Sequence, residues 1–177
     1  LGHEGASDMS WVSRLQPDDL HALEVFPHPA NANSYPFGDA HMQHLAHLTG
    51  LVDLELMYVQ ATAQGMQHLE AMKSLEKLAI YSPELGNTGL QSIGKIESLE
   101  VLSLGKMKWD DQGLVHLASL KSLEEINLPH PGAPGTGFDT VLGLPGLRYI
   151  LAGTSFTDAH LARLKKAKSL TPLDLNQ

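Results

Sequence analysis

Apolar residues recur along the chain as Leu-x-x-Leu-x-Leu runs: Leu51-x-x-Leu54-x-Leu56, Leu75-x-x-Leu78-x-Ile80, Leu99-x-x-Leu102-x-Leu104, Leu123-x-x-Ile126-x-Leu128, Leu147-x-x-Ile150-x-Ala152 and Leu170-x-x-Leu173-x-Leu175. Their first leucines stand at 51, 75, 99, 123, 147 and 170, giving steps of 24, 24, 24, 24 and 23. The two-residue alternation within each run predicts a short strand with one face buried. A period held through six copies predicts stacked units, each too small to bury its apolar face alone.

A second pattern follows each run at a spacing of three: Met42, Leu45, Leu48; Met66, Leu69, Met72; Leu90, Ile93, Ile96; Leu114, Leu117, Leu120; Phe138, Val141, Leu144; and then Leu161, Leu164. That spacing predicts a short helix showing one apolar stripe to the core. Phe37, Ala61, Leu85, Trp109, Ala133 and Phe156 hold equivalent positions between strand and helix and are expected to form a further buried column. Asp39, Asn87, Asp111 and Asp158 sit near the helix starts, where short acceptor side chains cap free N–H groups. Gly65, Gly89 and Gly113 follow them and suit a tight start to each helix. Repeated strand–helix units predict an α/β solenoid with a parallel sheet on the concave face and short helices on the convex face.

The segment Gly153-Thr154-Ser155-Phe156-Thr157-Asp158-Ala159-His160-Leu161 resembles the G-T-x-x-T-D-x-x-L linker of the bacterial 24-residue class of leucine-rich repeat proteins. Asp111-Gln112-Gly113-Leu114-Val115-His116-Leu117 is similar to its helix start. The resemblance covers about Leu20 to Leu175 and implies a right-handed curved solenoid that binds protein through its concave sheet. One feature of that family is missing, because Val59, Pro83, Met107 and Pro131 occupy the place of the usual ladder asparagine. The backbone of those turns must find other partners.

The earliest matching run, Leu20-x-x-Leu23-x-Val25, precedes Leu51 by a step of 31, so residues 26–36 form a Pro- and Asn-containing loop insertion. Residues 1–19 read as an N-terminal tail or cap with a short helix around Trp11, Val12 and Leu15; residues 20–177 read as the repeat domain. The run at Leu170 is followed by no helix, which allows end-to-end self-association through an uncapped C-terminal end.

Charge and composition narrow the partner. Twelve Lys and Arg against 20 Asp and Glu give a net charge of −8, a field that repels nucleic acid and anionic lipid. No run is apolar enough to span a membrane, and extracytoplasmic and cytoplasmic locations are both open. Cysteine is absent, which removes thiol chemistry and cysteine-ligated metal. No nucleophile elbow or phosphate loop is present; the glycines of 129–137 belong to a linker. The sequence therefore predicts no catalytic residues, no cofactor and no enzyme. His41, His44, His47 and His68 are the alternative, a histidine-dependent metal site, but nothing completes a recognised ligand spacing.

Strand alternation sorts the remaining side chains by direction. With the leucines inward, Asp53, Glu55, Met57, Tyr58, Lys77, Tyr81, Lys106, Glu125, Asn127, His130 and Tyr149 face the concave side and are the predicted binding residues. Trp109, in the linker column, is expected in the core. The expected function is a non-enzymatic module binding a protein, or a glycan, through this face.

Overall fold

The computed structural model describes residues 10–26, 37–105, 107–129, 132–153, 156–167 and 169–170. Six strands form one parallel sheet in chain order: β1 (Ala22–Val25), β2 (Asp53–Leu56), β3 (Lys77–Tyr81), β4 (Val101–Gly105), β5 (Glu125–Leu128) and β6 (Tyr149–Ala152). Equivalent leucines are register partners, Leu23 with Leu54, Leu54 with Leu78, Leu78 with Leu102, and Leu102 with Ile126. This is the physical result of the fixed period: no strand slips, because a one-residue slip would turn its leucines out of the core. Short helices follow the strands: α1 (Asp39–Met42), α2 (Ala63–Met66), α3 (Asn87–Ile93), α4 (Asp111–Leu114), α5 (Thr136–Leu142) and α6 (Asp158–Leu164). Gln67–Ala71 and Val115–Ser119 continue α2 and α4 as 3-10 turns. The run at Leu170, Leu173 and Leu175 falls largely outside the described residues, as do most of the 26–36 insertion and the first nine residues.

The core is one continuous stack. Leu54, Leu56, Leu78, Ile80, Leu102, Leu104, Ile126 and Leu128 enter it from the sheet, and Met42, Met66, Leu90, Leu114 and Phe138 from the helices. At the N-terminal end a 3-10 turn, Ser10–Arg14, buries Val12. Trp109 is buried at 9% exposure beside Leu85 and Ala61 in the same column.

Two column positions depart from the sequence expectation. Ala133 is exposed: Gly132 turns at φ 64° and carries it outward, while Phe138 and Phe156 meet edge to face at 5.7 Å. Leu161 is 39% exposed, and His160 takes the buried place instead. Among the described residues no element follows α6 to cover Leu161. His160 lies at the position held by Gly65, Gly89, Gly113 and Gly137 in the earlier units, where the helix packs on its predecessor.

The capping residues are also reassigned. The N-caps are Gly38, Thr62, Gly86, Asp110, Gly135 and Thr157. Asp39, Asn87 and Asp111 instead reach across to the following repeat. Asp39 accepts from Thr62 N and Oγ1 at 2.8 and 2.6 Å, Asn87 accepts from Asp110 N at 3.0 Å, and Asp111 accepts from the N–H groups of Gly135, Gly137 and Phe138. A short helix exposes its first N–H groups at its own end; stacking brings the preceding unit's side chain to them. In place of a ladder asparagine, Val59 N donates to Tyr81 O at 3.0 Å, Gln60 N to Phe37 O at 2.7 Å and Lys108 N to Leu85 O at 3.1 Å.

Candidate binding face of the sheet

Pleating turns the residues between the inward leucines to the opposite side of the sheet. Parallel register then lines them up across strands. Ala22, Asp53, Lys77, Val101, Glu125 and Tyr149 form one row; Glu24, Glu55, Ala79, Ser103, Asn127 and Leu151 form the next. One residue beyond β1 and β2, Phe26 and Met57 fall level with Tyr81, whose register partner in β4 is Gly105.

The structure groups only some of the predicted residues. Tyr58 and Tyr81 are neighbours, with ring centroids 6.2 Å apart and planes tilted by 39°. A side chain at Gly105 would overlap the Tyr81 ring, so glycine is what lets that ring lie across the next strand. Tyr58 is 52% exposed and Phe26 55% exposed. Tyr58 also has a positive φ, 55°, an uncommon conformation for a bulky residue. Tyr149 is 46% exposed but stands in the first row on β6, apart from this aromatic corner. Asp53, Glu55, Met57, Glu125 and Asn127 are half-buried on the same face and Lys77 is exposed. Lys106 and His130 lie outside the described residues.

Glu24 and Phe26 were not among the predicted residues, although the Leu20-x-x-Leu23-x-Val25 run carries the signal that places them. Glu24 is the direct register partner of Glu55. Glu24, Asp53 and Glu55 join no ion pair among the described residues, whereas carboxylates elsewhere pair across adjacent repeats: Glu70 with Lys95 at 3.0 Å, Glu124 with Arg148 at 3.8 Å, and Asp139 with Arg163 at 2.7 Å and Lys166 at 2.9 Å. Hydrogen bonds from Arg163 and Lys166 hold the Asp139 carboxyl below its ordinary pKa.

The histidines of the metal alternative do not converge. His41 Nδ1 accepts from Gly38 N at 3.0 Å, and His47 Nε2 lies 3.2 Å from Leu15 O. His68 belongs to the 3-10 turn of the next repeat. Among the described residues no group of three or more His, Cys, Asp or Glu is arranged to hold a metal ion, and no helix is long and apolar enough to cross a membrane.

This architecture is the leucine-rich repeat solenoid. Among solved structures the chain is similar to internalin C2 from Listeria monocytogenes, with a TM-score of 0.61 and 19% identity over 93% of this chain and 71% of that one. The plant peptide hormone receptor RGFR1, in complex with RGF2, also matches, at a TM-score of 0.43 and 18% identity over 75% of this chain and 22% of the receptor. No family model and no curated protein matches the sequence.

Proposed function

We propose that this chain is a non-enzymatic interaction module that binds another protein through the outward face of its parallel sheet. The observation that carries this reading is the corner where Phe26, Tyr58 and Tyr81 stand on one side of adjacent strands while the leucines of those strands fill the core. Large aromatic side chains held on a rigid sheet offer contact area at small ordering cost, and such residues dominate interface energies. Among the described residues the sheet is continuous over six strands, and the helices bury their apolar residues in the core on its other side.

The test is capture of a partner from the native source on the immobilised chain, followed by identification and a binding series. Charge reversal at Glu55 or Lys77, or Ala at Tyr58, Tyr81 or Tyr149, is expected to weaken binding of the captured protein while thermal unfolding stays within a few degrees of the parent. A captured protein whose affinity survives all five changes, yet falls when residues 26–36 are shortened or the C-terminal end is blocked, would move the interface to an edge or an end.

A further inference from the structure

We infer that the partner presents an extended, basic polypeptide segment, and that its Lys or Arg side chains are received at the corner formed by Glu24, Glu55, Tyr58 and Tyr81. The inference rests on the sheet face being the binding surface and adds the chemistry of what it binds.

Charge supplies the first part of the argument. Glu24 and Glu55 are register partners on neighbouring strands, roughly 4.8 Å apart along the sheet, and like charges placed side by side oppose sheet formation. Asp53 lies one row away with Lys77 as its register partner on β3, and Glu24 and Glu55 join no ion pair among the described residues. Elsewhere carboxylates are paired with cations across repeats, as at Glu70, Glu124 and Asp139, or accept from the following unit, as at Asp39 and Asp111. A cation from outside relieves the repulsion at the corner.

The rings supply the second part. Tyr58 and Tyr81 set their rings 6.2 Å apart, with Tyr81 one outward row beyond Glu24 and Glu55 in the register and Phe26 exposed one residue beyond β1. An aromatic face attracts Lys and Arg, and the flat aliphatic stem of either residue packs against it while the charged head reaches a carboxylate. A compact mineral cation would use the carboxylates and leave the rings idle. The corner spans β1 to β3, two strand spacings or roughly 10 Å, which matches about three residues of extended chain. The net charge of −8 favours approach of a basic segment to the whole molecule.

The experiment uses the full chain with two hexapeptides, Arg-Leu-Arg-Leu-Arg-Leu and Glu-Leu-Glu-Leu-Glu-Leu, followed by calorimetry and amide chemical shifts. The basic peptide is expected to saturate, to shift the amides of Glu24, Glu55, Met57, Tyr58 and Tyr81, and to weaken with added salt; the acidic peptide is expected not to bind. Glu24→Lys with Glu55→Lys is expected to weaken the basic peptide at least tenfold. Tyr58→Gly, which suits the positive φ, is expected to weaken it about two- to fivefold without loss of stability. Glu97→Lys, in the exposed turn between α3 and β4, is expected to leave affinity within twofold. No binding of the basic peptide, shifts centred elsewhere, or equal affinity for spermine would overturn the inference. If a captured partner is lost on changing Lys77 or Tyr149 but not the two glutamates, this inference fails and the sheet-face reading stands. If the partner ignores all of them, both fail.

Discussion

Asp111 serves the repeat after its own. Its carboxylate oxygens accept from the N–H groups of Gly135, Gly137 and Phe138 at 2.6, 3.0 and 2.8 Å. Burial pushes its pKa up, but these three donors and the nearby Arg163 charge outweigh burial and leave it lowered. Asp111→Ala orphans all three donors and is expected to cost about 2 kcal/mol in urea unfolding, with Asp111→Asn costing less because one acceptor remains. An unchanged midpoint in the Ala variant would show that water replaces the carboxylate freely. Trp109 acts through volume instead: Trp109→Ala leaves a cavity in the linker column, with an expected loss of about 3–5 kcal/mol.

His160 is the residue whose protonation opposes the fold. Its ring is buried, stacked on Phe156 at 4.6 Å and edge-on to Phe138 at 5.1 Å. Nδ1 accepts from Thr157 N at 3.2 Å. Among the described residues Nε2 has no partner of normal hydrogen-bond geometry, although the Gly132 backbone lies close enough to favour the charged ring. Burial is the larger influence and lowers the pKa from 6.5. The unfolded chain therefore binds the proton more readily, so stability is complete above 6.5 and declines as pH falls through that value toward the folded pKa. Asp111 and Asp139, both lowered from 3.8, add a further loss as pH falls below 3.8. Urea midpoints measured between pH 7 and 5 are expected to fall more steeply for the parent than for His160→Gln. Parallel slopes would assign the effect to other histidines.

At the scale of the element, the junction between successive helices explains the glycine column. A Cβ at Gly137 would overlap the Asp111 carbonyl, and one at Gly113 would overlap the Asn87 side chain. Neither glycine has a positive φ, so the requirement is close approach and not turn geometry. Gly137→Ala is expected to destabilise by about 1–3 kcal/mol through overpacking; a neutral effect would mean that neighbouring repeats can separate at little cost. His160 occupies the same place in α6. The sequence made strands, helix stripes and outward residues legible because each follows from position within one repeat. It hid whatever depends on which neighbour a side chain reaches. Asp39 and Asn87 look like caps of their own helices, yet stacking delivers them to the next. The three tyrosines look equivalent by alternation, but register separates Tyr149 from Tyr58 and Tyr81, and the Tyr81 ring needs Gly105 beside it. Ala133 is carried outward by the turn at Gly132 and Leu161 yields the buried place to His160, neither of which is a matter of apolar spacing.

Across the whole molecule, contacts run between neighbouring repeats in chain order, so stability is set locally and passed along the stack. The inward residues of β3 and β4, Leu78, Ile80, Leu102 and Leu104, are fully covered by a strand on each side. Those of β1, Leu23 and Val25, are only half-buried, and β6 ends in Ala152 where β2 to β5 place Leu or Ile. Among the described residues, opening β1 or β6 breaks one strand pairing and exposes little; opening β3 or β4 breaks two and exposes the centre of the stack. Local opening with a free energy that rises toward the middle follows from this asymmetry. Amide exchange is therefore expected to be slowest in β3 and β4, intermediate in β2 and β5, and fastest in β1 and β6. Trp109→Ala, which loosens the column just beyond β4, is expected to accelerate β4 and β5 more than β2. Equal protection in all six strands, or an equal response of all strands to the Trp109 change, would show that the sheet opens as one unit and that the neighbour-by-neighbour account of its stability is wrong.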